Sequence, residues 1–274
     1  MVSLRARLGL VVVGLGVAVS PVIADEVEPT TNAPAGEQAV VRGIQAPAGM
    51  LAARIALDIS MSKARFGKPI SIMPDIFYGV TDRLQVGLVH SGPMGWQTRP
   101  GAGLCLTGTD NGCPHVYDNV GADVMYGLLY GDQLHLSAHG SLYVTSIDAG
   151  WVMAAVGATA KLHLSDSAAL SADPQLGIQL ADRDLLDDQL YVPVELQYQL
   201  AAPTSVKLLT GVSGGLQHLG DTYQVPVGIG VVQNLTPAVD IGARVSIDNL
   251  LGKQATGAGR ADERSAMLLV NLRH

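Results

Sequence analysis

From Leu51 to the end of the chain, apolar residues recur at every second position over long stretches. In the first stretch the alternating apolar positions are Leu51, Ala53, Ile55, Leu57, Ile59 and Met61. Successive side chains of a β-strand point to opposite faces, so this pattern predicts a strand with one apolar face. The pattern returns in further segments at 70–80, 84–90, 120–130, 134–144, 152–164, 168–180, 190–200, 204–212, 223–231, 239–247 and 266–272. We therefore expect an all-β chain of about 12 strands, within a range of 10 to 14.

Charge is excluded from one face of these segments. No apolar-face position is Asp, Glu, Lys or Arg, although charged residues make up 15% of the chain. A soluble sandwich or barrel would bury the apolar face inside, whereas a membrane barrel turns it outward to lipid. Soluble surfaces are usually rich in Lys and Glu. Here the opposite face has only Lys161, Lys207 and Glu195 of these types, which favours the membrane barrel.

The connections between the segments alternate in length. Tight turns are expected at 81–83, 131–133, 165–167 and 201–203, and a looser one at 233–238. Longer loops at 62–69, 91–119, 182–189, 213–222 and 248–264 alternate with them, and 145–150 is the one short member of that set. Short turns on one side and long loops on the other are typical of outer-membrane barrels. We predict a single antiparallel transmembrane β-barrel over residues 49–274.

Four prolines fall inside the proposed strands, at Pro74, Pro174, Pro193 and Pro226. Each removes a hydrogen-bond donor from the ladder. Either β-bulges accommodate these prolines, or the strand count differs by two.

The first 24 residues have the features of a secretory signal peptide. Arg5 and Arg7 precede an apolar run of 12 residues from Leu8 to Val19, and small residues follow at the cleavage position. A short membrane anchor is the alternative interpretation, although the run is too short to span a bilayer comfortably. Residues 25–48 are rich in Pro, Thr, Asn, Ala and Glu and show little periodicity. We expect them to form a flexible periplasmic leader.

Charge and cysteine content exclude several classes of protein. The formal net charge of -7 excludes a basic nucleic-acid-binding protein. Two cysteines are too few for a disulfide-dense scaffold or a Cys-rich zinc site. The sequence also has no phosphate-binding Gly-rich loop, zinc-protease helix motif or serine-hydrolase elbow.

The segment from Tyr78 to Leu88, YGVTDRLQVGL, is similar to the periplasmic hairpins of uncharacterised outer-membrane barrel proteins. Over residues 50–274 the chain resembles a Gram-negative outer-membrane β-barrel, in particular a small porin-like channel. The resemblance implies export, insertion by the barrel-assembly machinery, location in the outer membrane, and contact with its lipid and lipopolysaccharide. Such barrels usually end in an aromatic residue that the assembly machinery reads, whereas this chain ends in His274.

The polar face of the strands supplies the candidate pore-lining residues. They are Arg54, Asp58, Asp75, Asp123, His135, His139, Lys161, His163, Asp173, Glu195, Lys207, Asp240 and Arg244. A wall of this mixed charge, with acids in slight excess, predicts weak cation preference. Alternatively, the same charges form an ion-pair network that fills a narrow barrel, because a 12-stranded lumen lies between filled 8-stranded barrels and open 16-stranded porins.

Histidine and serine alternate on one strand, at His135, Ser137, His139 and Ser141. The pair His139 and Ser141 is similar to the His-x-Ser pair of outer-membrane phospholipases, in which imidazole activates a hydroxyl. Those enzymes place the pair on the lipid-facing surface, whereas here it is expected on the lumen face, without an assignable orienting Asn or carboxylate. We therefore predict polar lumen filling and no enzyme activity, with a lipid hydrolase as the remaining alternative.

Cys105 and Cys113 lie in the longest loop. In an oxidising compartment they are expected to form a disulfide. Zinc binding by these cysteines and His115 would need a fourth ligand, so no metal site is predicted. The loop either folds into the pore as a constriction or projects outward to bind a partner.

Together these features predict a passive porin-like channel for small polar solutes or ions, without a cofactor. The alternative is a non-conducting structural or interaction barrel that acts through the disulfide-tied extracellular loop. A secreted soluble β-protein is a further alternative.

Overall fold

The computed structural model describes residues 39–92, 102–113, 115–253 and 262–274. The predicted signal peptide and residues 25–38 of the predicted leader lie outside the described residues. The strands are β1 (Leu51–Ser60), β2 (Ile70–Thr81), β3 (Leu84–Val89), β4 (Gly103–Cys105), β5 (Tyr117–Asp118), β6 (Val120–Tyr130), β7 (Leu134–Ser146), β8 (Trp151–Ser165), β9 (Ala168–Ala172), β10 (Gln175–Gln179), β11 (Gln189–Ala201), β12 (Thr204–Gly215), β13 (Val227–Thr236), β14 (Val239–Ile247) and β15 (Arg264–Arg273). A 3-10 turn spans Thr109–Asn111, and the short helix α1 spans Leu219–Thr222. No helix in these described ranges is long and apolar enough to cross a membrane.

The sheet closes on itself as a 12-stranded antiparallel barrel. β1 pairs with β2 on one side and with β15 on the other, which joins the two ends of the sheet. β9 and β10 together fill one position between β8 and β11. The β4–β5 hairpin extends the wall beside the first part of β2, where β3 has already ended. The predicted fold class and strand number are confirmed.

The exterior of the barrel is apolar and the interior is polar, which is the reverse of a soluble protein. Val124, Leu142 and Ile229 are each about half exposed, whereas Asp75, Ser137 and Ser205 are almost completely buried. A closed barrel with this arrangement has its apolar surface matched to lipid and its polar side chains facing a lumen. The barrel is an outer-membrane barrel, as the alternation predicts.

The five tight turns lie at one end of the barrel and the long loops at the other. Each tight turn follows a register shift on the strand that enters it. β-Bulges of this kind increase the local twist and end the pairing cleanly. The start of β1 lies at the same end as the turns, because Leu51 pairs with Tyr78 just before the turn after β2. The end of β15 lies there too, because the Leu51 amide bonds to the His274 carbonyl at 2.9 Å. We call this end periplasmic and the opposite end extracellular.

The prolines sit where the ladder is already interrupted. The Pro74 carbonyl accepts from His90 Nδ1 at 2.5 Å, on the side of β2 where β3 has ended. Pro174 separates β9 from β10, and Pro193 faces that break, since its carbonyl accepts from the Asp173 amide at 3.1 Å. The missing donors therefore cost few ladder bonds, and the strand number holds.

The tenth segment and the turn that follows it differ from their predicted bounds. The tenth segment, predicted at 223–231, begins instead at Val227, because α1 and Pro226 precede it. Its following turn, predicted as a looser connection at 233–238, contains only Pro237 and Ala238 between paired strands. The apolar residues Tyr223 and Val225 keep the two-residue period but lie before the start of the strand, so the pattern placed the start of the segment too early.

Candidate functional site in the barrel lumen

The thirteen charged or histidine residues that the sequence analysis named alternate with exposed apolar residues along the strands, and each of them is buried or partly buried. Most of them are buried among other polar groups: Asp58, Asp75, Asp123, His139, Lys161, Asp240 and Arg244 are each less than 9% exposed or at that limit. His135, His163, Arg54, Asp173, Glu195 and Lys207 are half-buried. The lumen is therefore filled with interacting side chains to a large extent.

His139 on β7 joins two carboxylates from different parts of the wall. Its Nε2 lies 2.8 Å from Asp173 Oδ1, and its Nδ1 lies 3.7 Å from Asp123 Oδ2. Thr159 and Gln175 each donate to Asp173 at 2.7 Å. We call His139, Asp123 and Asp173 the histidine clamp. It ties β6, β7 and the β9–β10 break together across the inner surface.

The Ser141 hydroxyl does not contact the imidazole. It donates to Asp123 Oδ2 at 2.6 Å. A hydroxyl that donates to a carboxylate is not positioned for deprotonation by His139, which nucleophilic catalysis would require. The clamp carboxylates, which were not assignable from the sequence, hold the imidazole in place from both sides. The geometry agrees with the prediction that His139 and Ser141 fill the lumen.

A second polar cluster lies at the open edge of β2. Arg54 Nη2 lies 2.6 Å from Asp75 Oδ2 and donates to Ser91 Oγ at 2.8 Å. Asp75 Oδ1 also accepts from the amides of His90 and Ser91, at 2.7 and 3.0 Å. Where β3 ends, Asp75 therefore replaces a neighbouring strand as the acceptor for two backbone donors. Ser91 and His90 were not identified from the sequence, because their role depends on where β3 stops.

One cavity remains beside these clusters, with a volume of about 390 Å³. Lys207 on β12 and Glu195 on β11 face it as an ion pair with an N–O distance of 2.8 Å, and both are more than one-fifth exposed. Its wall also includes Arg54, Asp173 and Arg244, and the cavity meets residue Ile44 from the segment before β1. This mixed lining could accommodate small polar molecules or hydrated ions.

Large apolar side chains also face the lumen, and the sequence analysis missed them. One buried cluster contains Val89, Tyr143, Met153 and Ala155, and Phe77 and Tyr191 pack against it. A second contains Ala56, Met73, Ala102 and Met267. These residues lie among the polar side chains of the lumen face. Their large side chains, on a face that otherwise carries small residues, are the sequence feature from which they could have been predicted.

The segment before β1 lies inside the periplasmic mouth. We call residues 39–48 the strap. Val40 is completely buried, and Lys161 Nζ donates to the Arg42 carbonyl at 2.8 Å. Arg42 Nη1 lies 2.7 Å from Asp240 Oδ2 on the far wall. The Ala46 amide donates to the Gln85 side chain at 2.8 Å.

These contacts connect the strap to several separate strands. Tyr130 on β6 donates to Gln45, and the strap passes so close to β2 that a Cβ on Gly79 would lie 1.9 Å from the Pro47 carbonyl oxygen. The prediction of a flexible leader over residues 25–48 therefore covers ten residues that make specific contacts, together with 25–38, for which no structure is described.

Cys105 and Cys113 form the predicted disulfide. It closes the β4–β5 hairpin around the turn at Thr109–Asn111. The hairpin pairs with β2 and continues the barrel wall, so residues 102–113 neither fold across the pore nor stand free of the barrel. Among the described residues, no group of three or more His, Cys, Asp or Glu side chains is arranged to hold a metal ion.

The extracellular loops contain a histidine whose protonation is coupled to a contact. His218 Nδ1 lies 2.9 Å from Asp187 Oδ2, which joins the loop before β13 to the loop before β11. The hydrogen bond and the charge of Asp187 raise the pKa of His218. Burial beside Asp58 and Glu263 raises the pKa of Asp248, just after β14, to about 7.

No protein-family model matches this sequence. No curated protein matches it either. Among solved structures, the barrel is similar to the NanC porin, with a TM-score of 0.56 and 9% identity, covering 81% of this chain and 98% of that one. It is also similar to the COG4313 outer membrane channel from Pseudomonas putida F1, with a TM-score of 0.53 and 12% identity over 84% of this chain and 97% of that one. A third is the KdgM porin in complex with disordered oligogalacturonate, with a TM-score of 0.51 and 5% identity over 81% and 98% of the two chains. At these identities the likeness establishes only that this chain shares the fold of these outer-membrane barrels.

Proposed function

We propose that this protein is a passive channel through which small polar solutes or ions cross the outer membrane. The observation that carries the proposal is the cavity of about 390 Å³ inside a closed barrel, lined by charged groups that are partly accessible. Barrels of the same architecture include the porins and the channel named above.

The charged lumen residues supply the proposed selectivity. Glu195 and Lys207 face the cavity as neighbours, and carboxylates slightly outnumber the cations among the thirteen candidate pore-lining residues. Fixed charges inside a narrow, low-dielectric wall concentrate counter-ions. We infer weak cation preference, with solutes moving by diffusion and without turnover.

The filled lumen favours a second candidate, a non-conducting barrel that serves as a structural or interaction protein. Its specific support is that clusters around His139, Asp75 and Asp240 bridge the interior and that few lumen groups are exposed. In that case the disulfide-tied hairpin would provide the surface for a partner.

Planar-bilayer recording distinguishes the two candidates. Residues 25–274, and a variant that begins at Pro47 and lacks most of the strap, would be folded in detergent and inserted. Discrete conductance steps in either protein support the channel, and replacing Glu195 by Gln should shift the reversal potential in a salt gradient towards anion preference. Correctly folded barrels that conduct in neither form would overturn the channel proposal and favour the non-conducting barrel.

The control for this experiment is the exposed outer-loop residue Lys68, which bonds to Asn111 at 2.7 Å, away from the lumen. Lys68→Ala changes the charge of the protein by one unit, the same amount as Glu195→Gln but with the opposite sign, and outside the cavity. It should leave the reversal potential unchanged. A shift as large as that of Glu195→Gln would show that the measurement reports total charge instead of the cavity.

A further inference from the structure

The strap has the features of a segment that occupies a site instead of completing a wall. The barrel closes without it, since β1 pairs with β15 from Ala52 onward, and among the described residues no strand ladder includes residues 39–48. Its contacts are made largely by side chains that project into the periplasmic mouth. Val40 and Ile44 provide its apolar contribution, Val40 fully buried and Ile44 at the edge of the cavity.

The contacts of the strap reach opposite parts of the mouth. Arg42 pairs with Asp240 on β14, whereas its carbonyl accepts from Lys161 on β8. Ala46 is held by Gln85 on β3. A short peptide that is bonded to three separated strands must cross the opening between them, and it lies between the cavity and the periplasm.

We propose that the strap is a stopper built into the chain, which closes the periplasmic mouth at rest and opens the lumen when it withdraws. That withdrawal opens a conducting path rests on the proposed channel function, whereas the covering of the mouth by the strap can be measured separately. Withdrawal breaks polar contacts that water can replace at the mouth, and it leaves every barrel ladder intact. Pro47 and Gly49, which has a φ of 77°, connect the strap to β1 and provide the bend about which it would move.

Gly79 offers a point change that displaces the strap without altering any of its residues. A Cβ at this position would lie 1.9 Å from the Pro47 oxygen and 2.6 Å from the Ala46 oxygen, both backbone atoms that cannot rotate away. Gly79→Ala should therefore push the strap out of its seat. Gly140→Ala is the matched control, because a Cβ there has its nearest neighbour at 3.8 Å.

The first measurement is thiol labelling, which does not depend on conduction. Gln85 is 6% exposed and lies under the strap, and Cys105 and Cys113 are bonded to each other, so Gln85→Cys introduces a unique free thiol. A bulky, membrane-impermeant maleimide should label Cys at position 85 slowly in the full chain. Combination with Gly79→Ala, or with removal of residues 25–46, should accelerate labelling by roughly tenfold or more, because exposure no longer depends on a minor open state. A cysteine at exposed Ala202 serves as the fast reference.

Equal labelling in the full chain and in both strap variants would overturn the proposal. Circular dichroism and heat modifiability on gels identify variants that fail to fold, and Gly79→Ala keeps the test decisive where the deletion does not fold. If labelling accelerates but no protein conducts, the strap covers the mouth and the channel proposal fails alone.

The second measurement is conductance. The strap-deleted barrel and Gly79→Ala should conduct more often or at a higher level than the full chain and Gly140→Ala. A synthetic peptide of residues 39–48, added on the periplasmic side of the deleted barrel, should reduce the current, whereas a scrambled peptide should not. Where the four proteins do conduct, identical conductance in all of them, with no effect of the peptide, would overturn the stopper.

Discussion

The histidine clamp gives the sharpest prediction about what holds the lumen together. Replacing His139 by Ala leaves Asp123 and Asp173 as two carboxylates on the same inner surface, without the imidazole that lies between them. Their side chains are 10% and 29% exposed, so water can screen Asp173 but hardly Asp123. Removing one partner of a buried ion pair typically costs about 3–5 kcal/mol.

The hydrogen bonds that remain reduce this cost. Ser141 still donates to Asp123, and Thr159 still donates to Asp173. We therefore expect His139→Ala to lower the free energy of unfolding by about 2–3 kcal/mol, somewhat less than the usual cost of breaking a buried pair. Guanidinium unfolding in detergent micelles, followed by circular dichroism, measures this change.

A double variant isolates the charge from the loss of packing. Asp173→Asn in the His139→Ala background removes one of the two facing charges, so it should recover at least half of the lost free energy. His218→Ala is the matched control, because it removes an exposed histidine that also pairs with an aspartate and should leave unfolding unchanged. If His139→Ala unfolds with the same free energy as the natural protein, or if Asp173→Asn lowers stability further, the clamp is not held by charge.

Three further outcomes follow from the loops and the cavity. Replacing Cys105 and Cys113 by Ser should make the hairpin sensitive to protease, while the free energy of global unfolding changes little. The reason is that a disulfide that closes a short loop contributes about 2–3 kcal/mol to the stability of that loop. A protease time course with mass analysis measures the cleavage rate. Glu195→Gln should weaken cation preference, and a reversal potential that stays constant would contradict the role of Glu195. The raised pKa of His218 means that its contact with Asp187 is fully present below the ordinary histidine pKa of about 6.5 and is lost as pH rises through the raised value. Hydrogen exchange in α1 should therefore speed up above that pH beyond the intrinsic rate increase, and Asp187→Asn should abolish this extra dependence.

The sequence predicts the wall well, because lipid constrains it at every position. A charged side chain on the outer surface would face hydrocarbon, so alternation at positions such as Val124 and Ile229 carries a strong signal. The tight turns can be predicted from the sequence for a related reason, because a connection of two or three residues interrupts the apolar alternation. The start of β13 was harder to predict, since Tyr223 and Val225 keep the two-residue period although the strand begins only at Val227.

The contacts inside the lumen are much harder to predict from the sequence, because they depend on the register in which the strands pair. Asp173 and His139 are 34 residues apart, and only the pairing of β7 with β8 and the break at Pro174 bring them within 2.8 Å. The position of the strap inside the mouth could not be predicted from the sequence, for a different reason. The strap lacks periodicity and continues a stretch rich in Pro, Thr, Asn, Ala and Glu, so residues 25–48 together predict a flexible leader, although several strap residues match groups inside the mouth.

The same charges connect the stopper to the proposed selectivity. Asp240 is paired with Arg42 from the strap and with Arg273 from β15, at 2.7 and 2.6 Å. Withdrawal of the strap would remove one of these cations, while Arg273 would keep the carboxylate in place at the wall. It would also break the hydrogen bond between Lys161 and the strap carbonyl. The opened mouth would then carry a carboxylate on one side and an ammonium group on the other, whereas Glu195 and Lys207 deeper in the lumen are paired on neighbouring strands. Opening and selectivity would therefore use the same residues, and a variant such as Asp240→Asn should change both the ease of strap release and the ion preference of the open barrel.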